Sequence, residues 1–78
     1  GAQVIALGQN LTLRYQYNGS SNLHLQIVDL QGKTLLNSNL GSGSGLHSFT
    51  LPLQNALAGL YVLRLYNNAV SETVKFVK

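Results

Sequence analysis

Apolar and polar residues alternate with a period of two along most of this 78-residue chain, and no other feature limits its fold so strongly. In "LTLRYQY", Leu11, Leu13, Tyr15 and Tyr17 fall on one side of an extended backbone, with Thr12, Arg14 and Gln16 on the other. In "LHLQIVDL", Leu23, Leu25 and Ile27 oppose His24, Gln26 and Val28. "LHSFTLPL" groups His47, Phe49 and Leu51, and from Leu60 onward Tyr61, Leu63 and Leu65 oppose Val62, Arg64 and Tyr66. Successive side chains of a strand point to opposite faces, so a half-buried sheet needs this period, whereas a helix needs one near 3.6.

Turn-forming residues stand where the alternation breaks. Asn18-Gly19-Ser20-Ser21-Asn22 separates the first two patterned runs, and Asn67-Asn68 separates the last two. Gln31-Gly32 predicts a tight turn from "LHLQIVDL" into "KTLLNSNL", making a hairpin. "GSGSG" at 41–45 is flanked by apolar strands and reads as a flexible strand-to-strand loop. Pro52 has no amide hydrogen and marks a sheet edge or the end of a strand. "QNALAGL" is too short before Gly59 for a stable helix, and Leu57 within it is expected to plug one end of the core. These signals predict an all-β fold: a small antiparallel β-sandwich, immunoglobulin-like, with six or seven strands. It forms a single domain over residues 1–78, with the core starting at about residue 11.

A chain of this size buries roughly 60% of its unfolded surface, a marginal amount. It has no cysteine, so stability must come from close packing of Leu, Val, Ile, Tyr and Phe. A two-stranded ribbon is marginal by itself, so the closing hairpin "GLYVLRLYNNAVSETVKFV" must lie on the sandwich core. The start shows no basic region followed by an apolar run, which fits a segment of a larger precursor.

Five basic and two acidic residues give a net charge of +3, dispersed along the chain rather than gathered into a nucleic-acid-binding stripe. His24 and His47 have no cysteine beside them, and Asp29 and Glu72 are the only carboxylate side chains, so neither a metal cluster nor a two-carboxylate mechanism is expected. The seven serines lie outside any G-x-S-x-G elbow. No catalytic residue, metal or cofactor is therefore expected. Tyr15, Tyr17 and Tyr66, with the many amides, leave a second possibility open: an accessory carbohydrate- or protein-binding module of a secreted enzyme.

From Leu11 to Lys78 the chain resembles the C-terminal sorting domain of the type IX secretion system of Bacteroidetes. "LTLRYQY" resembles the family's first core strand, and "LHLQIVDLQGKTLL" its strand, D-L-x-G-[KR] turn and next strand. Leu57 followed by Gly59, Tyr61 and Arg64 resembles a leucine preceding G-x-Y-x-x-[RK], and "TVKFVK" resembles the closing basic, apolar, basic pattern. In place of the proline-asparagine-proline stretch that usually precedes the first strand, this chain has "GAQVIALGQN". The resemblance implies a non-catalytic tag on an N-terminal cargo domain. Such a tag directs the cargo through the outer-membrane translocon to the surface-processing machinery, and the product ends at the cell surface or outside the cell.

The resemblance makes Asp29, Gly32, Lys33, Gly59, Tyr61, Lys75 and Lys78 candidate recognition residues, each with a structural role as its rival. Asp29 can cap local amides in the Gly32 turn, with Lys33 reaching solvent or the translocon. Gly59 supplies either a backbone conformation closed to other residues or a turn shape that is read. Tyr61 is expected in the core with its hydroxyl satisfied. Lys75 and Lys78, three apart, point to opposite faces of a strand, as a basic feature for a receptor or as protection of an exposed edge.

Overall fold

A computed structural model describes residues 1–8 and 10–78. Among these residues there are seven strands and no helix: β1 (Ala2–Leu7), β2 (Thr12–Tyr17), β3 (Leu23–Val28), β4 (Thr34–Gly41), β5 (Gly45–Thr50), β6 (Leu60–Tyr66) and β7 (Ser71–Val77). They form two antiparallel sheets, ordered β1-β2-β5 and β4-β3-β6-β7, packed as an immunoglobulin-like sandwich. The core residues follow from the alternation. Leu13 from β2 meets Leu23, Leu25 and Ile27 of β3 and Leu63 and Leu65 of β6, all fully buried. Register keeps these side chains in rows: Leu25 lies opposite Leu65, and Ile27 opposite Leu63. Each buried aliphatic side chain stabilises the fold by about 1.5–3 kcal/mol relative to exposure. That burial holds together a domain without disulfides.

Tyr15 and Tyr17 are inside, 5% and 3% exposed, as their place beside Leu13 predicted. The Tyr17 hydroxyl donates to the Ser21 carbonyl (2.7 Å) and accepts from Asn67 Nδ2 (2.7 Å), joining the β2–β3 and β6–β7 turns at one end of the sandwich. Asn67 also caps the amides of Ala69 and Val70 through Oδ1, which explains why the chain reverses there. β5 ends at Thr50, and the Leu53 amide bonds to the Leu51 carbonyl across Pro52.

β1 was not evident from the sequence. A bulge between Val4 and Ala6 breaks its alternation, so Val4 and Leu7 turn inward while Ile5 and Ala6 both turn outward. Ala2, Val4 and Leu7 nevertheless pack against the core. "GSGSG" also does more than close a hairpin. Gly41 ends β4 in one sheet and Gly45 begins β5 in the other, so the segment carries the chain between sheets.

Candidate functional site

The D-L-x-G turn forms because Asp29 serves it twice. Its backbone amide donates to the Lys33 carbonyl (3.0 Å), and its carbonyl accepts from the Gly32 amide (3.1 Å). Its carboxylate Oδ1 accepts from the amides of Gln31 and Lys33, each at 2.9 Å. Gly32 has a φ of 84°, in the left-handed region that glycine enters without steric cost. Asp29 is thereby committed to the turn, Leu30 is pushed outward at 65% exposure, and Lys33 stands in solvent.

Gly59 is held by the end of the chain. Its amide donates to the Lys78 carbonyl (3.3 Å), and the Lys78 amide donates back to the Gly59 carbonyl (2.9 Å). This reciprocal pair continues the β6–β7 ladder beyond Leu60 and Val77. Gly59 has a φ of 155°, as its candidate backbone role required, and a side chain there would meet no atom within 4 Å. What glycine supplies at this position is conformation, not room.

Tyr61 is 5% exposed and stacks on Phe76 of β7, with ring centroids 5.8 Å apart. Its hydroxyl donates to the Leu57 carbonyl four residues upstream, clamping the β5–β6 connection onto β6. The same clamp overturns the expectation for Leu57. Leu51 and Leu53, 2% and 4% exposed, close that end of the core, and Tyr61 fills the space beneath the connection. Leu57 is left outside, 84% exposed. Apolarity alone could not say which of three nearby leucines would win the interior.

Lys75 and Lys78 do point to opposite faces. Lys75 is exposed on the outer face of the four-stranded sheet, opposite Val62. Lys78 turns inward beside Phe76, half-buried, and its ammonium donates to the carbonyls of Gln54 (3.2 Å) and Ala56. It is a clasp on the β5–β6 connection and not a loose, solvated end. The two lysines therefore do not form one basic feature.

The fold thus gathers segments far apart in sequence. Asp29, Leu30, Leu57, Gly59, Leu60 and Tyr61 line one shallow cleft at the end of the sandwich, with Lys78 tied to Gly59 beside it. Tyr66 lies elsewhere, on the outer sheet face, with the Arg64 guanidinium 4.3 Å from its ring centroid and His24 at 5.4 Å. Tyr15 and Tyr17 are occupied by the core, so the three tyrosines make no common platform for a sugar ring. Among the described residues there is no group of three or more His, Cys, Asp or Glu side chains placed to hold a metal ion, and no helix is long and apolar enough to cross a membrane.

The family described as the secretion system C-terminal sorting domain matches residues 8–78. The chain belongs to that family. It is a non-catalytic sorting domain of the type IX secretion system, acting in export to the outer membrane and cell surface. No curated protein matches it. The family match spans both segments that line the cleft and the Lys78 paired with Gly59 beside it, so the geometry of that end belongs to the sorting domain itself.

Proposed function

We propose that the outer-membrane translocon and the surface-processing machinery recognise this sorting domain at the end of the sandwich built by Asp29–Lys33, Gly59–Tyr61 and Lys78, with an N-terminal cargo domain as the passenger. The observation that carries this reading is the reciprocal Gly59–Lys78 backbone pair, which brings the closing residues against the G-x-Y segment at the same end of the four-stranded sheet as the D-L-x-G turn. Asp29, Gly32, Gly59, Tyr61 and Lys78 shape the surface. Lys33 and Lys75 are free to present charge to a partner.

The test fuses this chain behind a folded, neutral reporter with a periplasmic export signal, in a bacterium that exports its own type IX cargo. The fusion should reach the surface, and Lys33→Gln with Lys75→Gln should reduce export while leaving the domain folded. Both side chains are exposed, so their replacement should change stability by no more than ~0.5 kcal/mol. Undiminished export of a folded double variant would remove both lysines from recognition. Retention of the unsubstituted fusion in the periplasm would refute the reading as a whole.

A further inference from the structure

The cleft at the recognition end is lined by two exposed leucines that the fold does not use. Leu30 and Leu57 are 65% and 84% exposed, yet they line the same cleft as Leu60. They come from separate connections, β3–β4 and β5–β6, and the backbone of each connection is held by a side chain. Asp29 Oδ1 fixes the turn around Leu30, and the Tyr61 hydroxyl fixes the Leu57 carbonyl. An isolated exposed leucine is ordinary on a protein surface. Two on rigid supports in one cleft make a preorganised apolar contact that needs little ordering on binding. Ile5 and Leu46, also exposed, differ in this respect: they lie on β1 and β5 of the other sheet, with β2 between them.

The charge around this cleft has one sign available for a partner. Lys33 follows the turn that carries Leu30, and Lys75 lies opposite Val62 on the adjoining sheet face, both exposed, whereas the Lys78 ammonium is spent on the Gln54 and Ala56 carbonyls. Asp29 is spent on two amides, and Glu72 lies opposite Leu65, towards the far end of β7.

Resting on the recognition reading above, we infer that Leu30 and Leu57 are a two-point apolar anchor whose occupant is a protein surface of the export machinery: an apolar pocket rimmed by carboxylates. The leucines enter the pocket and supply most of the affinity. The lysines pair with the rim and set orientation and encounter rate.

The experiment uses the same reporter fusion, with Leu30→Ser, Leu57→Ser and the double variant, and Leu46→Ser as the control of matching exposure. Melting midpoints of the isolated chain should be unchanged in all four, because none of these side chains is buried. Surface export of the double variant should fall about tenfold or more, the loss expected when central anchors of an interface are truncated. Export of Leu46→Ser should stay at the unsubstituted level. Normal export of the folded double variant overturns the leucine anchor and leaves the recognition end in place. Equal losses in Leu46→Ser and the double variant also overturn it, because general surface polarity would then be responsible. Failure of the unsubstituted fusion overturns both readings together. Charge reversal tests the rim: Lys33→Glu with Lys75→Glu should depress export further than the glutamine pair, and a folded glutamate variant that exports normally overturns the acidic partner.

Discussion

Replacing Tyr61 with Phe removes one oxygen from the clamp that holds the β5–β6 connection. The ring should stay where it is, because its burial and its stacking on Phe76 involve no hydroxyl. The bond lost is the one to the Leu57 carbonyl. Leu57 lies in an exposed connection, so its carbonyl can turn to water once released. The cost is therefore the net value of one neutral hydrogen bond, ~1 kcal/mol, and not the larger penalty of a stranded buried acceptor. For a domain of this size that lowers the melting midpoint by about 4–8 °C. Urea melts of the two proteins at pH 7 measure the difference directly. Tyr66→Phe is the internal control, because its hydroxyl has no hydrogen-bond partner among the described residues, and it should change stability by less than ~0.5 kcal/mol. An unchanged midpoint for Tyr61→Phe would show that the clamp does not stabilise the fold. A loss above ~3 kcal/mol would show that the ring had repacked, and the single-bond account would then be wrong. If the clamp also presents Leu57 to a partner, export of the Tyr61→Phe fusion should fall while most of the protein remains folded.

Gly59→Ala should cost ~1 kcal/mol through backbone conformation alone, since the new methyl meets nothing within 4 Å; an unaltered urea midpoint would exclude strain at this position. Lys78→Gln should destabilise by ~1 kcal/mol, because the shorter, uncharged side chain cannot repeat the donation to the Gln54 and Ala56 carbonyls; a neutral result in the same melts would return Lys78 to simple solvation. Burial raises the Tyr15 phenol above its usual 10.0, so the native state keeps its proton where the unfolded chain has released it. This stabilisation is present in full below pH 10 and is lost as pH rises from about 10 through the higher native value; the alkaline fall in melting temperature should shrink in Tyr15→Phe, and identical alkaline limbs would refute the assignment.

The strands and several details of their turns were legible in the sequence because they rest on local chemistry. Leu13, Tyr15 and Tyr17 share a face wherever β2 is placed, since a pleated backbone alternates its side chains regardless of its neighbours. Asp29 can cap the Gly32 turn, and Asn67 the Asn68 turn, with atoms only a few residues away. The closing hairpin was readable for the same reason, down to the opposite faces of Lys75 and Lys78. Family membership was legible too, because the motifs keep their order along the chain.

Competition for the interior and long-range pairing required the tertiary structure. The bulge in β1 reverses its alternation partway along, so a local pattern search loses the strand although Val4 and Leu7 still reach the core. Leu51, Leu53 and Leu57 have the same side chain, and only the space left by Tyr61 and Pro52's sharp turn decides that the first two go in and the third stays out. Neither the crossing of "GSGSG" between sheets nor the reach of the Lys78 ammonium to Ala56 has a sequence signature, because each depends on which segments lie side by side after folding. The meeting of the Asp29 turn, the Gly59–Tyr61 segment and Lys78 belongs to this second class. A motif's presence is a property of the chain, but its neighbours are set by how two sheets must pack to bury their common face.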